Sequence, residues 1–306
     1  DFMEGHIAMP VITGQKTDAE KFAGALRTYS CEAMMQDNRA LQAGTSHNLG
    51  QNFAKAFDLT FQSESGSIEY AWNTSWGVST RMVGGLVMTH GDDIGLRVPP
   101  LLAPIELVIV PIYRTDEERS AVLEAAQRIV ASLAEWAGRG TERIRVHVDA
   151  REGMKPGAKY YEWELRGIPL RLELGPRDLA ANQGVLVRRD TREKRPVALS
   201  TLGEDVADAL SAIQRDMLAA ALDRREAHSV REPISYDRFR ELMDGEGGFV
   251  YAGWCGAGAC EAQVKEETRA TVRCLPDEEF RSAEAPTACL KCGRPSTVEA
   301  LWAKAY

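Results

Sequence analysis

Four of the six cysteines fall into two close pairs, Cys255-x4-Cys260 and Cys289-x2-Cys292, with 28 residues between them. Two short thiolate-bearing turns can each pre-arrange half of a tetrahedron, and Gly256, Gly258 and Gly293 ease the tight backbone such turns need. The spacing predicts a structural zinc site at Cys255, Cys260, Cys289 and Cys292. Four sulfurs leave no open position for water, so the ion would hold a fold together and do no chemistry itself. Two disulfides, or four ordinary thiols, are the alternatives the spacing leaves open. Cys274 and Cys31 suit plain core positions. The same region holds Gly253-x-x-Gly256-x-Gly258, but no strand–glycine–helix unit surrounds it, and the neighbouring cysteines explain its glycines better than a nucleotide loop does.

A second group of chemistry-bearing side chains lies between residues 20 and 93. In an extended segment Thr45 and His47 point to the same side. Ser46 is then placed to cap a helix carrying Leu49, Phe53, Ala56 and Phe57 at helical spacing. Arg81 follows Ser79-Thr80 at the start of the apolar helical run Met82–Met88; taken alone it reads as a surface arginine at a helix start. His90, Asp92 and Asp93 have the residue types of a metal triplet. With Gly91 between them and Gly95 after them, they read instead as a helix end and turn.

The elements that would position these groups are legible in outline. Residues 1–104 mix short strands and helices and end in Pro99-Pro100-Leu101-Leu102-Ala103-Pro104, which no helix continues through. Residues 105–203 read as a small α/β domain. It has an apolar strand at Ile105–Ile112 and a capping box at Thr115 and Glu118 opening a helix with Val122, Ala126, Ile129, Val130, Leu133 and Ala137 on one stripe. Further strands are expected at Arg143–Val148, at Ile168–Leu174 with Leu170, Leu172 and Leu174 alternating, and at Gly184–Val187. Residues 204–306 open with a long amphipathic helix carrying Val206, Leu210, Ile213, Met217 and Leu222, followed by a short helix near Tyr236–Met243 and the cysteine-rich tail. The expected class is α/β, in several domains.

At 306 residues the chain exceeds one ordinary hydrophobic core. With 44% hydrophobic and 27% charged residues it is globular in composition, neither disordered nor coiled-coil. No stretch approaches the roughly 18 uninterrupted apolar residues of a membrane span, so no membrane partner is expected. The net charge of −8 argues against a general nucleic-acid coat. Residues 139–203, however, hold 14 basic and 9 acidic side chains, a local surplus able to meet phosphates.

Four blocks in order carry a resemblance. They are Lys21-Phe22-Ala23-Gly24-Ala25, then Leu41-Gln42-Ala43-Gly44-Thr45-Ser46-His47-Asn48-Leu49-Gly50-Gln51-Asn52-Phe53, then Trp76-Gly77-Val78-Ser79-Thr80-Arg81, then Met88-Thr89-His90-Gly91-Asp92-Asp93 with Gly95-Leu96 and Pro99-Pro100 behind it. Together they resemble prolyl-tRNA synthetases of class II. Gly167-Ile168-Pro169-Leu170-Arg171-Leu172-Glu173-Leu174-Gly175-Pro176-Arg177-Asp178 resembles that family's anticodon-binding domain. The cysteine tail ending in Tyr306 resembles the zinc-binding C-terminal domain of its archaeal and eukaryote-like branch.

The resemblance spans the whole chain and implies the following. Residues 1–104 would be the C-terminal part of a class II antiparallel-sheet catalytic domain, 105–203 a mixed-sheet anticodon domain, and 204–306 a small α/β zinc domain. The activity would be that of a cytoplasmic, dimeric proline–tRNA ligase, which activates L-proline with ATP and Mg2+ to prolyl-adenylate and transfers it to tRNA(Pro). Arg81 would match the motif 3 arginine and bind ATP phosphates catalytically, Gln42 and Thr45 would contact ATP, and Phe22 and His47 would line the proline pocket. Arg171, Glu173 and Arg177 would read the anticodon, with Arg188 and Arg189 either adding phosphate contacts or lying on a solvated edge. Class II motifs 1 and 2 would lie upstream of Asp1, so the expectation is an N-terminally truncated enzyme, inactive by itself. A non-catalytic, zinc-stabilised tRNA-binding module derived from a class II synthetase is the alternative from another functional class.

Overall fold

A computed structural model describes residues 1–136 and 143–306; Ala137, expected on the first helix of the middle segment, lies outside them. Two compact units are present, both discontinuous in sequence. One comprises residues 1–9 and 90–221, the other residues 10–89 and 222–306. Three consecutive domains were expected. The division differs because strands far apart in the chain share a sheet, and a sheet is held by its ladder whatever the sequence separation.

The first unit is built on a five-stranded mixed sheet in the order Lys194–Ala198, Gln183–Arg188, Leu170–Leu174, Leu107–Pro111, Val146–Val148. The inner strand Leu107–Pro111 pairs in parallel with both neighbours and is buried throughout, as its unbroken apolar run anticipates. Thr115 caps the helix Asp116–Glu135 by accepting from the Glu118 amide, and Val122, Ala126, Ile129 and Leu133 pack against Leu107, Ile109, Leu170 and Leu172. Val206, Leu210, Ile213 and Met217 of the helix Leu202–Ala227 close the same core. Leu222, expected on this stripe, is exposed and Ala221 is buried in its place. Met217 and Ala221 are four residues apart and share a face, whereas a fifth residue has rotated off it.

The second unit is an eight-stranded sheet. Its order is Ser229–Val230, Phe249–Trp254, Val298–Ala303, Thr271–Pro276, β1 (Val11–Gln15), β2 (Arg27–Met34), β3 (Ala40–Gly50), Asn73–Gly77. Every neighbouring pair is antiparallel except the first. β1 pairs with Thr271–Pro276 at Gly14 and Gln15, and a Cβ on Gly14 would stand 2.3 Å from the Leu275 carbonyl oxygen. Glycine is what permits that approach.

Ser46 caps no helix. It is an inner residue of β3, which continues to Gly50, and the following helix is the short Asn52–Ala56 with Gln51 at its N-cap. Pairing of Ser46 with both Tyr29 and Trp76 keeps the strand extended past the point where propensity alone would end it.

Candidate functional site

The face of β3 that carries the candidate residues is set by an irregularity. Ser30 opposes Thr45 and Thr28 opposes His47, while Glu32 opposes Gln42 and Cys31 opposes Gly44, so Ala43 is an extra residue in the ladder. Gln42 and Thr45 are three positions apart and would face opposite ways in a regular strand. The bulge restores the phase and puts Gln42, Thr45 and His47 on the face of Thr28, Ser30 and Glu32. A Cβ on Gly77, opposite Thr45 in the next strand, would lie 3.5 Å from Thr45 Oγ1, so this glycine keeps the ground beside the hydroxyl clear.

At one end of this face, His47 and Phe22 have ring centroids 4.8 Å apart at 40°, and Phe22 stacks on Phe53 at 6.2 Å. The Phe22 amide donates to Thr28 Oγ1 at 3.0 Å, and Thr28 Oγ1 lies 3.0 Å from His47 Nδ1. The Thr28 hydroxyl thus ties the backbone of Phe22 to the ring of His47. Phe22 is 48% exposed, an open wall and not a core residue. At the other end, Arg81 opens the helix Arg81–His90 and its Nη1 donates to the Gln42 carbonyl at 3.5 Å. The guanidinium is exposed. Arg81 with Gln42, and Phe22 with His47, are thus two juxtapositions joined by β3.

The same face continues, at Glu32, into a buried ionic cluster that the sequence did not announce. Glu32, fully buried, accepts from Lys16 Nζ at 2.7 Å and from Arg273 Nε and Nη2 at 3.1 and 3.0 Å. Burial pushes the Lys16 ammonium below its ordinary pKa, and the Glu32 carboxylate opposes that push. Such a triad has little plasticity, because removing one member strands charge in the interior.

The four cysteines converge as the spacing predicts. Cys255 follows the strand Phe249–Trp254, Cys260 sits in the first turn of the helix Gly258–Thr268, and Cys289 and Cys292 flank a turn before Val298–Ala303. Gly256 and Gly293 have φ of 78° and 68°, the left-handed region that glycine enters freely. All four Sγ atoms lie within 4.8 Å of one another, with Cys255–Cys260 at 3.7 Å and Cys255–Cys292 at 3.8 Å. Disulfide sulfurs would be about 2 Å apart. A tetrahedral ion with bonds of about 2.3 Å needs edges of about 3.8 Å. The cluster can therefore hold a metal ion and is compatible with structural zinc. Burial pushes the Cys260 thiol up to about 12, whereas hydrogen bonding from Arg294 brings Cys292 down to about 6. Arg294, whose guanidinium also reaches Cys255 Sγ at 3.8 Å, was not evident from the sequence.

In the first unit, Arg171 is buried. Its guanidinium holds Glu164 at 2.7 Å and Glu173 at 3.0 Å and stacks over Tyr160 at 4.1 Å. Glu173 also accepts from Lys194 at 3.1 Å, and Arg177 stands exposed on the short helix Pro176–Ala180. Arg188 is paired with Asp190 and Asp216. Arg189 is buried and grips Asp92 through both terminal nitrogens, at 3.0 and 2.7 Å. In this arrangement neither arginine lies on a solvated edge with a guanidinium free for phosphate. Asp92 also accepts from the Ile94 and Gly95 amides and from Arg97, and His90 Nε2 lies 2.8 Å from the Ile7 carbonyl. These groups lock a turn.

Two family models match the chain: an anticodon binding domain over residues 106–208, and the C-terminal domain of prolyl-tRNA synthetase over residues 236–306. Proline–tRNA ligases of Chloroflexus aurantiacus and Chlorobium phaeobacteroides are 49% and 50% identical to it over 309 and 310 residues, covering all of this chain and 62% of each relative. That of Flavobacterium johnsoniae is 46% identical over 306 residues, with 60% of its length covered. Over its whole length the chain is similar to prolyl-tRNA synthetases. It spans 60% to 62% of the length of these relatives.

Local motifs gave the cysteine cluster and the β3 residues. The Ala43 bulge, the Glu32 cluster and Arg294 carry no local signature. No helix of the described residues is long and apolar enough to cross a membrane.

Proposed function

We propose that this chain supplies part of the ATP and proline site of a proline–tRNA ligase, together with its tRNA-reading and metal-bound portions. Arg81 is a permanently charged fork suited to triphosphate oxygens, and Gln42, whose carbonyl it meets, and Thr45 on the same strand face would hydrogen-bond the nucleotide. Phe22 offers an apolar wall to the prolyl ring, and His47 offers an imidazole across from it. The carboxylate of proline attacks the α-phosphorus in line, the bond from that phosphorus to the β-phosphate oxygen breaks and pyrophosphate leaves, so positioning two anions and neutralising developing charge is the main demand on the protein. Magnesium accompanying ATP would supply further neutralisation.

Transfer of the prolyl group to tRNA(Pro) completes the proposed reaction. Glu173, held in place by Arg171, and the exposed Arg177 are the proposed anticodon contacts. Zinc in the cysteine cluster would be structural, holding the sheet end together. A cytoplasmic homodimer is the proposed state of the whole enzyme.

The observation that carries the reading is the register of β3, which brings Gln42, Thr45 and His47 onto one face with Arg81 against Gln42 and Phe22 against His47. A non-hydrolysable prolyl-adenylate analogue should raise the Tm of the 306-residue chain, and the alanyl and histidyl analogues should not. Equal stabilisation by all three, or by none, contradicts the proposal.

A further inference from the structure

The turn that delivers Phe22 to His47 is anchored far from its own strands. Thr17 Oγ1 donates to Glu261 Oε1 at 2.8 Å, with both residues buried. Glu20 pairs with Lys265 Nζ at 3.1 Å. Glu261 and Lys265 are four residues apart on the helix Gly258–Thr268 and so share one face of it. That helix begins at the metal cluster: Cys260 immediately precedes Glu261, and the amides of both bond to the Ala257 carbonyl, at 3.1 and 3.4 Å. On the other side, the Thr17 carbonyl accepts from the Glu20 and Lys21 amides at 3.2 and 2.9 Å, which starts the turn. The turn ends where the Phe22 amide meets Thr28 Oγ1, the hydroxyl that also holds His47.

This makes one continuous path of hydrogen bonds and covalent neighbours from the Cys260 sulfur to the aromatic wall. Its weakest points are identifiable. Glu261 is a buried carboxylate whose placement depends on the first helical turn, and that turn is fixed by Cys260 when the four sulfurs share an ion.

We infer that Thr17 and Glu261 are positioning residues that make the placement of Phe22 against His47 depend on occupancy of the cysteine cluster. The inference rests on the reading of Phe22 and His47 as the proline wall and deepens it by naming what controls that wall. An ion held by Cys255, Cys260, Cys289 and Cys292 fixes the start of the helix. Glu261 then holds Thr17, and the turn from Thr17 sets Phe22. Loss of the ion leaves β2 and β3 paired but frees the turn.

Hydrogen exchange read by mass spectrometry tests this on the 306-residue chain, with metal content measured for each sample. In zinc-loaded Glu261→Ala and Thr17→Val, amides 18–25 should exchange about tenfold faster than in the parent, while metal content and the protection of Phe249–Trp254 hold. Glu261→Gln and Thr17→Ser keep an acceptor and a hydroxyl, and should restore parental exchange. Chelation of the parent should reproduce the acceleration at 18–25, and chelation of Glu261→Ala should add nothing further there. Unchanged exchange at 18–25 in the zinc-loaded alanine and valine variants overturns the inference, as does acceleration spread equally over Phe249–Trp254 in those same zinc-loaded samples. Prolyl-adenylate analogue binding is a separate readout, so failure of the proline reading and failure of the coupling are told apart.

Discussion

Arg294 Nε donates to Cys292 Sγ at 3.4 Å, a cation set beside the most exposed thiol of the cluster. A proton and a metal ion compete for each sulfur, so a thiol held near 6 is open to metal at neutral pH. Arg294→Ala removes the group that favours the thiolate, and the Cys292 pKa moves up. The midpoint of metal release on acidification should therefore shift to higher pH, by at most about one unit because the pair is solvated. Zinc release followed with a chromogenic chelator between pH 5 and 8 checks it. An unchanged midpoint contradicts the role given to Arg294.

Metal removal should cost the second unit stability beyond the local turns. The ion would cross-link segments around residues 255–260 and 289–292, and the strands Phe249–Trp254 and Val298–Ala303 they flank pair with each other. A loss of about 4 kcal/mol corresponds to a fall in Tm of roughly 10 °C for a unit of this size. Cys289→Ser should reproduce the effect of chelation, and chelating the variant should lower its Tm no further. Calorimetry with and without chelator measures both.

Asp92 is held well below the usual carboxylate range, first by the hydrogen bonds of Arg189, against a smaller opposing effect of burial. A carboxyl whose pKa is depressed on folding stabilises the fold above its unfolded value near 4, and that contribution is lost as pH falls through the folded value. Stability of the first unit should decline steadily below about pH 4. Asp92→Asn strands the buried Arg189, so it should cost about 2–4 kcal/mol at pH 7 and flatten the acid limb. Urea unfolding at pH 3, 5 and 7 gives both quantities.

Arg171 and Arg177 separate structure from recognition. Arg171 is sequestered with Glu164, Glu173 and Tyr160, so Arg171→Ala should cost about 2–4 kcal/mol of stability. Arg177 is exposed, and Arg177→Ala should change stability by less than about 0.5 kcal/mol. If Arg177 meets a phosphate, its loss should also lower the slope of log affinity for tRNA against log salt by about one. Unfolding and filter-binding titrations over a salt range distinguish the two residues.

What could be read from sequence divides by range. The cysteine pairs, the Thr115–Glu118 cap and the alternation of Leu170, Leu172 and Leu174 are local patterns, and each sits where its spacing put it. The pairing of Gly14 with Pro276 joins residues that no periodicity relates, and it is why the first and last segments share a sheet. Ser46 had the chemistry of a cap, but strands on both sides claimed its backbone. Arg188 and Arg189 looked like a solvated basic pair until Asp190, Asp216 and Asp92 were seen to be within reach. Gln42 belongs with Thr45 only because Ala43 is an extra residue, and nothing in its side chain signals a bulge.

The two ends of the β3 face should be separable by ligand. Arg81 is exposed, and its hydrogen bonds run to the Gln42 carbonyl and the Ser79 hydroxyl, so Arg81→Ala should leave the Tm of the free chain within about 2 °C. The same change should weaken ATP binding by ten- to a hundredfold, the range of about 1.5–3 kcal/mol for a hydrogen bond to a charged group. Phe22→Ala should do the reverse. ATP affinity should hold, because the ring lies beside His47 and Phe53 at the far end of the strand. The preference for a prolyl- over an alanyl-adenylate analogue should shrink, since the pyrrolidine loses the apolar surface it packs on. Isothermal titration of both variants with ATP and the two analogues measures all of these affinities. If Arg81→Ala and Phe22→Ala weaken every ligand by the same factor, the face does not divide into a phosphate end and a prolyl end, and the assignment of Gln42, Thr45 and His47 between them fails with it.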